Sequence, residues 1–280
     1  PVGRSVNEAA PSVDAKLPRI ESLPGLKGGA RVKILHPVIV PGRADFPSIN
    51  IRLFEPLPVL PQRLVDWQMA PQAVIDGLLH MVSSAARLQV IGGTASGKPT
   101  CLSAMTNGIP KNARVVKIED PEEIWMDHPH VVTVEARRAP VGSTSVKDYS
   151  LKDGVDDAMR MSPRWLIVGE VRTGDAAAAL FRAQMSDHPG LSTFHADGPE
   201  LAVERMGLNM FVDAGIKLEG AKRMFSMAVD VVAQVGWLGG RRRLLGVWEV
   251  DRQLKAGDVQ FRPLYLPSDD ELKALTRRGI

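Results

Sequence analysis

Residues 88–98 restrict the possible folds of this chain more than any other stretch. Leu88-Gln-Val-Ile91 is a short apolar run with strand character, and it leads directly into Gly92-Gly93-Thr94-Ala95-Ser96-Gly97-Lys98. A strand, a glycine loop and then a helix form the setting in which a polypeptide cradles phosphate. The glycines let successive backbone N–H groups face the same oxygens, and the lysine reaches the terminal phosphates. Gly92, Gly97 and Lys98 supply the G-x4-G-K frame. The next position normally carries the Ser or Thr hydroxyl that holds Mg²⁺. Here it is Pro99, with Thr100 following. The chain therefore has the frame of a phosphate loop without the residue that ligates the metal. Such a frame arises by chance about one time in ten in a chain of this length, so the rest of the sequence must support it.

The flanking pattern does so. Val115–Ile118, Trp165–Val168 and Leu191–Phe194 are further apolar runs of strand length. Segments with room for helices lie at Leu151–Met161, Asp175–Met185 and Pro199–Met210. Ahead of the loop, Ala70-Pro71 opens a helix in which Val74, Leu78, Leu79 and Val82 recur at helical spacing. Strands alternating with helices predict an α/β fold with a doubly wound sheet. Asp230–Val235 and Leu244–Val250 flank Gly239-Gly240 and predict a terminal hairpin. Upstream, Arg31–Leu35 and Ser48–Phe54 alternate like strands around a turn at Pro41-Gly42-Arg43. Pro56, Pro58 and Pro61 then mark a linker, because proline suits neither a central strand nor a helix interior. The division is an irregular lead-in over 1–28, a strand-rich N-terminal domain with its linker over 29–62, a nucleotide-binding domain over 63–250, and a tail without a motif over 251–280.

Bulk properties exclude several classes. A net charge of +3 on 280 residues gives no global nucleic-acid footprint. Arg241-Arg242-Arg243 reads as the solvated face of the hairpin. The single cysteine, Cys101, excludes an internal disulfide. No apolar stretch is long enough to span a bilayer, and no signal-peptide pattern opens the sequence.

Three further groups carry chemistry. Ile118-Glu119-Asp120 sits at the end of a predicted strand, where carboxylates line the ligand crevice of a doubly wound sheet. Glu119 reads equally well as a group that orients or deprotonates an attacking water and as part of a solvated acidic loop with Glu122 and Glu123. Arg164-Trp-Leu-Ile-Val168-Gly169-Glu170-Val-Arg172 is an apolar strand leading to a carboxylate. Glu170 suits a role in holding Mg²⁺ through water or polarising a nucleophile, and Arg172 suits a phosphate-charge sensor. Gly190-Leu-Ser-Thr-Phe-His195-Ala places His195 after a small-residue strand; packed core histidine and site residue are both open. His128, His130 and His188 lack metal-ligand spacing with Cys101, so zinc is rejected.

These four elements, in this order, resemble the secretion-traffic ATPases of type IV and type II secretion, conjugal transfer and tight-adherence pilus assembly. The resemblance runs from about Ala30 to Val250. The family's Walker A, Asp box, Walker B and His box correspond to Gly92–Thr100, Ile118–Glu123, Arg164–Arg172 and Gly190–Ala196. Met159–Arg172 and Ser192-Thr-Phe-His-Ala196 are the most specific stretches. The resemblance implies a RecA-like P-loop core with a smaller α+β N-terminal domain, ATP and Mg²⁺ as cofactors, and a homo-hexameric ring. It also implies peripheral attachment to an inner-membrane secretion or pilus platform, on the cytoplasmic side of a bacterial membrane; direct nucleic-acid binding is not expected, because net charge is modest and no basic–aromatic stripe is present. Nucleotide contacts would come from Gly92, Gly93, Thr94, Ala95, Ser96, Gly97, Lys98, Pro99 and Thr100, and from Arg52 of the Ile51-Arg52 pair, which would face the cleft. Glu119, Glu170, Arg172 and His195 would be catalytic, and Glu170 with a weak contribution from Thr100 would serve the metal.

The departures from the family pattern are specific. Pro99 replaces the metal-ligating Thr, and Thr100 matches the family's second Thr, about 100° further round the helix. Ala95 replaces a glycine and adds a Cβ where positive φ is expected. Ser186-Asp187-His188-Pro-Gly190 is altered and one residue shorter on the approach to the His box, and Asp175 replaces the usual Glu after Walker B.

Overall fold

The computed structural model describes residues 6–20, 27–40, 46–137, 139 and 147–268. Two compact units share the chain: Pro1–Pro58 with Arg137–Tyr149, and Val59–Ala136 with Ser150–Ile280. The break after Pro58 falls inside the proline-rich linker read from the sequence.

The first unit holds a three-stranded antiparallel sheet, ordered β1 (Ser12–Leu17), β2 (Ala30–Leu35), β3 (Ser48–Leu53). The period-2 alternation sorts its faces. Ala15, Val32 and Ile51 stand in register on the apolar side, with Val13, Ala30 and Val32 buried. On the other side Lys33 donates to Asp14 at 2.8 Å. The expectation of an irregular lead-in over 1–28 is corrected by β1. Its alternation, Val13, Ala15 and Leu17, is three small steps between Pro11 and Pro18, and its strand character comes from pairing with β2. The turn expected at Pro41-Gly42-Arg43 lies outside the described residues.

The second unit begins with α1 (Pro61–Asp66) and α2 (Gln72–Ser83). The chain continues through β4 (Leu88–Ile91), α3 (Lys98–Met105), β5 (Val115–Glu119), β6 (Val131–Glu135), α4 (Leu151–Ala158) and β7 (Trp165–Val171). It ends with α5 (Gly174–Met185), β8 (Gly190–Phe194), α6 (Pro199–Ala214), α7 (Leu218–Ala228), β9 (Val231–Leu238), β10 (Arg241–Val250) and β11 (Phe261–Tyr265). All eight strands form one sheet, ordered β11-β10-β9-β4-β8-β7-β5-β6. From β9 to β6 every pairing is parallel; β10 and β11 add antiparallel strands at one edge. Strands β4, β5, β7 and β8 are covered on both faces, which is why they read as continuous apolar runs rather than alternating ones. Alternate strand residues feed two cores. Ile91, Ile118, Val168 and Phe194 pack with α4–α7, and Val90, Val115, Ile167 and Leu191 pack with α1–α3.

Strands β6 and β11 and helices α1 and α7 go beyond the elements read from the sequence; Pro61, read as linker, opens α1, where proline at the first helical position costs no hydrogen bond. β11 contains Pro263, which argues against a central strand; at the sheet edge the missing N–H faces no further neighbour. The tail expected over 251–280 therefore starts with an ordered edge strand. The β9–β10 hairpin turns at Gly239 and Gly240, with φ of 58° and 69°, the two positive values that a tight two-residue turn needs. Ser150 caps α4 through a reciprocal box with Asp153: the hydroxyl accepts from the Asp153 N–H, and the carboxylate accepts from the Ser150 N–H at 2.8 Å. Those hydrogen bonds from Ser150 hold the Asp153 carboxyl below its ordinary range. At the start of β4, buried Arg87 donates from Nε to Asp230 at 2.8 Å and from Nη1 to the carbonyls of Gln184 and Met227, both at 2.9 Å. This brace joins β4, β9 and the helical layer.

Candidate nucleotide-binding site

The loop leaves β4 at Ile91 and becomes helix at Lys98. Two of its glycines are required by geometry. Gly92 has φ 156°, and a Cβ there would sit 2.1 Å from the Val235 carbonyl oxygen; Gly97 caps α3 at φ 96°. Ala95 also has positive φ, 57°, so its Cβ carries the left-handed strain that glycine avoids. Lys98 is buried, and its ammonium donates to the carbonyls of Gly92 and Gly93 at 2.9 Å each. The Ser96 hydroxyl is buried and finds no hydrogen-bond partner among the described residues. Gly93 is half-buried, and Thr94 is exposed. Pro99 occupies the first turn of α3, where the N–H lacks an intrahelical acceptor in any case, so the helix starts normally and the Cys101 N–H reaches Gly97 at 2.9 Å. Burial pushes the Cys101 thiol up to about 12, so it is an inert core group.

The strand ends assemble the rest. Ile91 of β4 pairs with Phe194 of β8, and Phe194 pairs with Val171 of β7, so the loop, His195 and Glu170 all leave the same edge of the sheet. A cleft of about 310 Å³ is lined by Glu170, Arg172, Phe194, His195, Arg205 and Asn209. Within it, Arg172 Nε donates to Glu170 Oε2 at 2.7 Å, and a second guanidinium nitrogen lies 3.9 Å from the Asp120 carboxylate. Arg205 donates to the His195 carbonyl at 3.3 Å, and Asn209 to the Arg172 carbonyl at 3.4 Å. Thus Glu170, Arg172 and His195 line one cleft. Arg205 and Asn209 were not singled out from sequence. Their signal is an i, i+4 polar pair on a helix whose other face is apolar.

Glu119 ends β5. It is 2% exposed, not part of a solvated loop. Its Oε2 lies 2.9 Å from the equally buried Lys117 ammonium, and its Oε1 accepts from the Glu123 and Ile124 N–H groups at 3.1 and 3.0 Å. Burial raises the Glu119 carboxyl above its ordinary value despite the lowering by Lys117 and the two N–H groups. Lys117 also pairs with Glu122 at 3.0 Å and donates to the Ile124 carbonyl. The side chain packs on Gly169, where a Cβ would lie 2.8 Å from Glu119 Cγ. Glu119 thereby joins the Asp-box turn to the strand that carries Glu170.

Arg52 lies on β3 of the first unit, opposite Arg31. Thr100 is half-buried in α3. His128, His130 and His188 make local bonds, to the Pro110 carbonyl, to Arg114 and to the Ala183 carbonyl. The arginine run at 241–243 is more than a solvated face. Arg242 Nε donates to the Ala95 carbonyl at 3.0 Å, Arg241 reaches the Gln68 side chain at 2.6 Å, and Arg243 donates to the Gln68 carbonyl.

A parallel sheet with helices on both faces and a glycine–lysine loop at the end of an inner strand defines a RecA-like P-loop core accompanied by a smaller N-terminal unit. Residues 5–235 match the family model for type II/IV secretion system proteins, and the chain belongs to that family. It is 30% identical over 243 residues to a putative conjugal transfer protein of Mycobacterium tuberculosis, covering 86% of this chain and 66% of that protein. Identity is 28% over 189 residues to the type IV secretion system protein PtlH of Bordetella pertussis, covering 63% of this chain and 53% of PtlH. An uncharacterised Methanocaldococcus jannaschii protein is 33% identical over 208 residues, with 73% and 34% coverage. The chain thus spans about a third to two-thirds of the length of these curated relatives. In fold, it superposes on the pilus retraction motor PilT with bound ADP at a TM-score of 0.61, with 18% identity, 95% coverage of this chain and 67% of PilT. For the VirB11 ATPase of Brucella suis in complex with sulphate, the TM-score is 0.54, with 23% identity and coverage of 88% and 78%. No helix among the described residues is long and apolar enough to cross a membrane.

Proposed function

We propose that this chain binds and hydrolyses ATP as a homo-hexameric ring that powers type IV or type II secretion, conjugal transfer or pilus assembly. The ring would dock peripherally on an inner-membrane platform protein at the cytoplasmic face. The observation that supports this reading best is the shared sheet edge: the phosphate loop after β4 and the Glu170–Arg172–His195 cleft after β7 and β8 lie on neighbouring strands of one sheet. Ligands of such sheets bind at the carboxyl ends of the strands.

The residues of the loop suit a polyphosphate. The bend at Gly92 and Gly97 turns backbone N–H groups together, the orphan Ser96 hydroxyl can donate to an oxygen, and Lys98 has a cation held beside the loop. Mg²⁺ fits less well, because Pro99, the position after Lys98, offers no hydroxyl oxygen. Among the described residues, no three His, Cys, Asp or Glu side chains cluster to hold a metal ion. Glu170, acting through water, is the metal contribution we assign to this chain, with Thr100 a lesser one. Bound Mg²⁺-ATP supplies a phosphoanhydride bond whose cleavage the site would promote. Glu170 would orient and polarise the attacking water, Arg172 would exchange its ion pair with Glu170 for phosphate charge, and His195 would report on that charge from the next strand. Glu119 would position the Glu170 strand through its contact with Gly169.

Pro99 favours a second reading: a catalytically impaired member of the same apparatus that retains the fold, with at most weak nucleotide binding, in a structural or regulatory role. Mg²⁺-ATP turnover at ring-forming concentrations separates the two. Turnover that disappears in Glu170→Gln supports the motor. No turnover in the parent with rescue by Pro99→Thr supports the second reading, and absence of nucleotide binding in the parent refutes the motor.

A further inference from the structure

Arginines 241–243 lie far from every sequence motif, yet one of them touches the phosphate loop. Arg242 projects from β10 and donates from Nε to the Ala95 carbonyl at 3.0 Å. Its guanidinium sits 5.3 Å from the Trp237 ring on the paired strand β9, with Trp237 and Arg242 opposite each other in register. Its stem packs against the loop as well: a Cβ on Gly97 would lie 3.2 Å from Arg242 Cδ and 3.4 Å from Met69 Cε. The neighbouring arginines fix the same region, since both bond to Gln68 and the Leu244 N–H donates to the Met69 carbonyl at 2.8 Å. The hairpin and residues 68–69 therefore bracket the loop on one side.

We propose that Arg242 is a positioning residue for nucleotide binding, a brace that holds Ala95 in its left-handed conformation and keeps the phosphate loop in its binding shape. The physical case has two parts. Ala95 at φ 57° opposes its own Cβ, so the loop needs an external contact to favour this state over an extended one. A charged donor on the Ala95 carbonyl also polarises the Ala95–Ser96 peptide. In a trans peptide the Ser96 N–H points away from that carbonyl, so it becomes a stronger donor on the side opposite Arg242. Stacking on Trp237 orients the planar guanidinium for this bond, which an ammonium could not reproduce. This inference rests on the ATP reading for its consequence, but the brace itself exists without nucleotide.

The test uses the full chain and the variants Arg242→Ala, Arg242→Lys and Arg252→Ala, the last removing an exposed positive charge from the β10–β11 connection, where it pairs with Asp230 and touches no loop residue. The first readout is amide hydrogen exchange of residues 93–98 in nucleotide-free protein. The second is the Kd for a fluorescent ATP analogue. Arg242→Ala should speed loop exchange and raise Kd about five- to tenfold, the loss of one partly exposed charge-assisted bond, while thermal melting stays unchanged. Arg242→Lys should recover less than half of the loss, and Arg252→Ala should match the parent. Unchanged loop exchange in Arg242→Ala overturns the proposal. So does faster exchange with unchanged affinity, or an equal loss in Arg252→Ala. A parent chain that binds no nucleotide refutes the ATP reading on its own, and the exchange comparison still decides whether the brace exists.

Discussion

Replacing Pro99 by Thr should raise Mg²⁺-ATP turnover by about 10²–10⁴-fold. The structure gives three reasons to attribute the gain to chemistry rather than to refolding. Pro99 lies in the first turn of α3, where no intrahelical bond depends on its N–H, so Thr enters without loss. The Cys101 N–H to Gly97 bond, 2.9 Å, already fixes the helix start. Pro99 is half-buried, so a threonine of similar size fits with its hydroxyl near solvent. Thr restores one phosphate-facing N–H and one metal-ligating hydroxyl. Each charge-assisted contact is worth roughly 1.5–3 kcal/mol, and the pair together about 3–6 kcal/mol in a closed site. The assay is phosphate release at saturating ATP for the parent, Pro99→Thr, Glu170→Gln and the double variant. Glu170→Gln should remove the gain. A Pro99→Thr protein that folds and binds ATP but turns over no faster would refute the reasoning. The defect would then lie elsewhere, in Ala95 or in the shortened approach to His195.

Ala95→Gly should stabilise the protein by about 1 kcal/mol, because it removes the Cβ penalty at φ 57° and offsets only part of this by extra unfolded-state entropy; a rise in the urea midpoint checks it. Asp230→Asn should cost about 3 kcal/mol at pH 7 by leaving buried Arg87 without its carboxylate. Burial alone would raise the Asp230 carboxyl, but the Arg87 bonds and charge outweigh it and hold the folded value low. That stability is present above the unfolded value of about 4 and is lost as pH falls through the folded value. Denaturation between pH 7 and pH 3 should therefore show an acid limb in the parent that is reduced in Asp230→Asn. Lys117→Met should cost about 3–5 kcal/mol by leaving buried Glu119 without its cation, Glu119→Gln about 1–3 kcal/mol because Lys117 keeps Glu122 at 3.0 Å, and the double variant less than their sum. A double-mutant cycle by urea denaturation reads the coupling, and strict additivity would refute the pairing.

Local pattern and chemistry made the α/β core, the phosphate loop, the Walker B strand and the terminal hairpin legible before any coordinates. Continuous apolar runs such as Trp165–Val168 announce strands covered on both faces, and a glycine pair such as Gly239-Gly240 announces a tight turn. These signals are carried by residues adjacent in the chain. Strands β1, β6 and β11 were not legible, because short edge strands with proline at or near them acquire their conformation by pairing with a neighbour. The same limit applies to the site. Glu119 is a carboxylate among carboxylates in sequence, and nothing local shows that Lys117 and the turn at 122–124 enclose it. Arg205 and Asn209 reach the cleft because α6, which follows β8, docks on α5, and Arg242 reaches Ala95 because β10 folds back to the loop from 147 residues away. Spacing along the chain dictates which residues can share a face or a turn. Which distant side chain closes on a carboxylate or a carbonyl depends on sheet order and helix docking, and those follow from the burial of surfaces that meet only once the chain has folded.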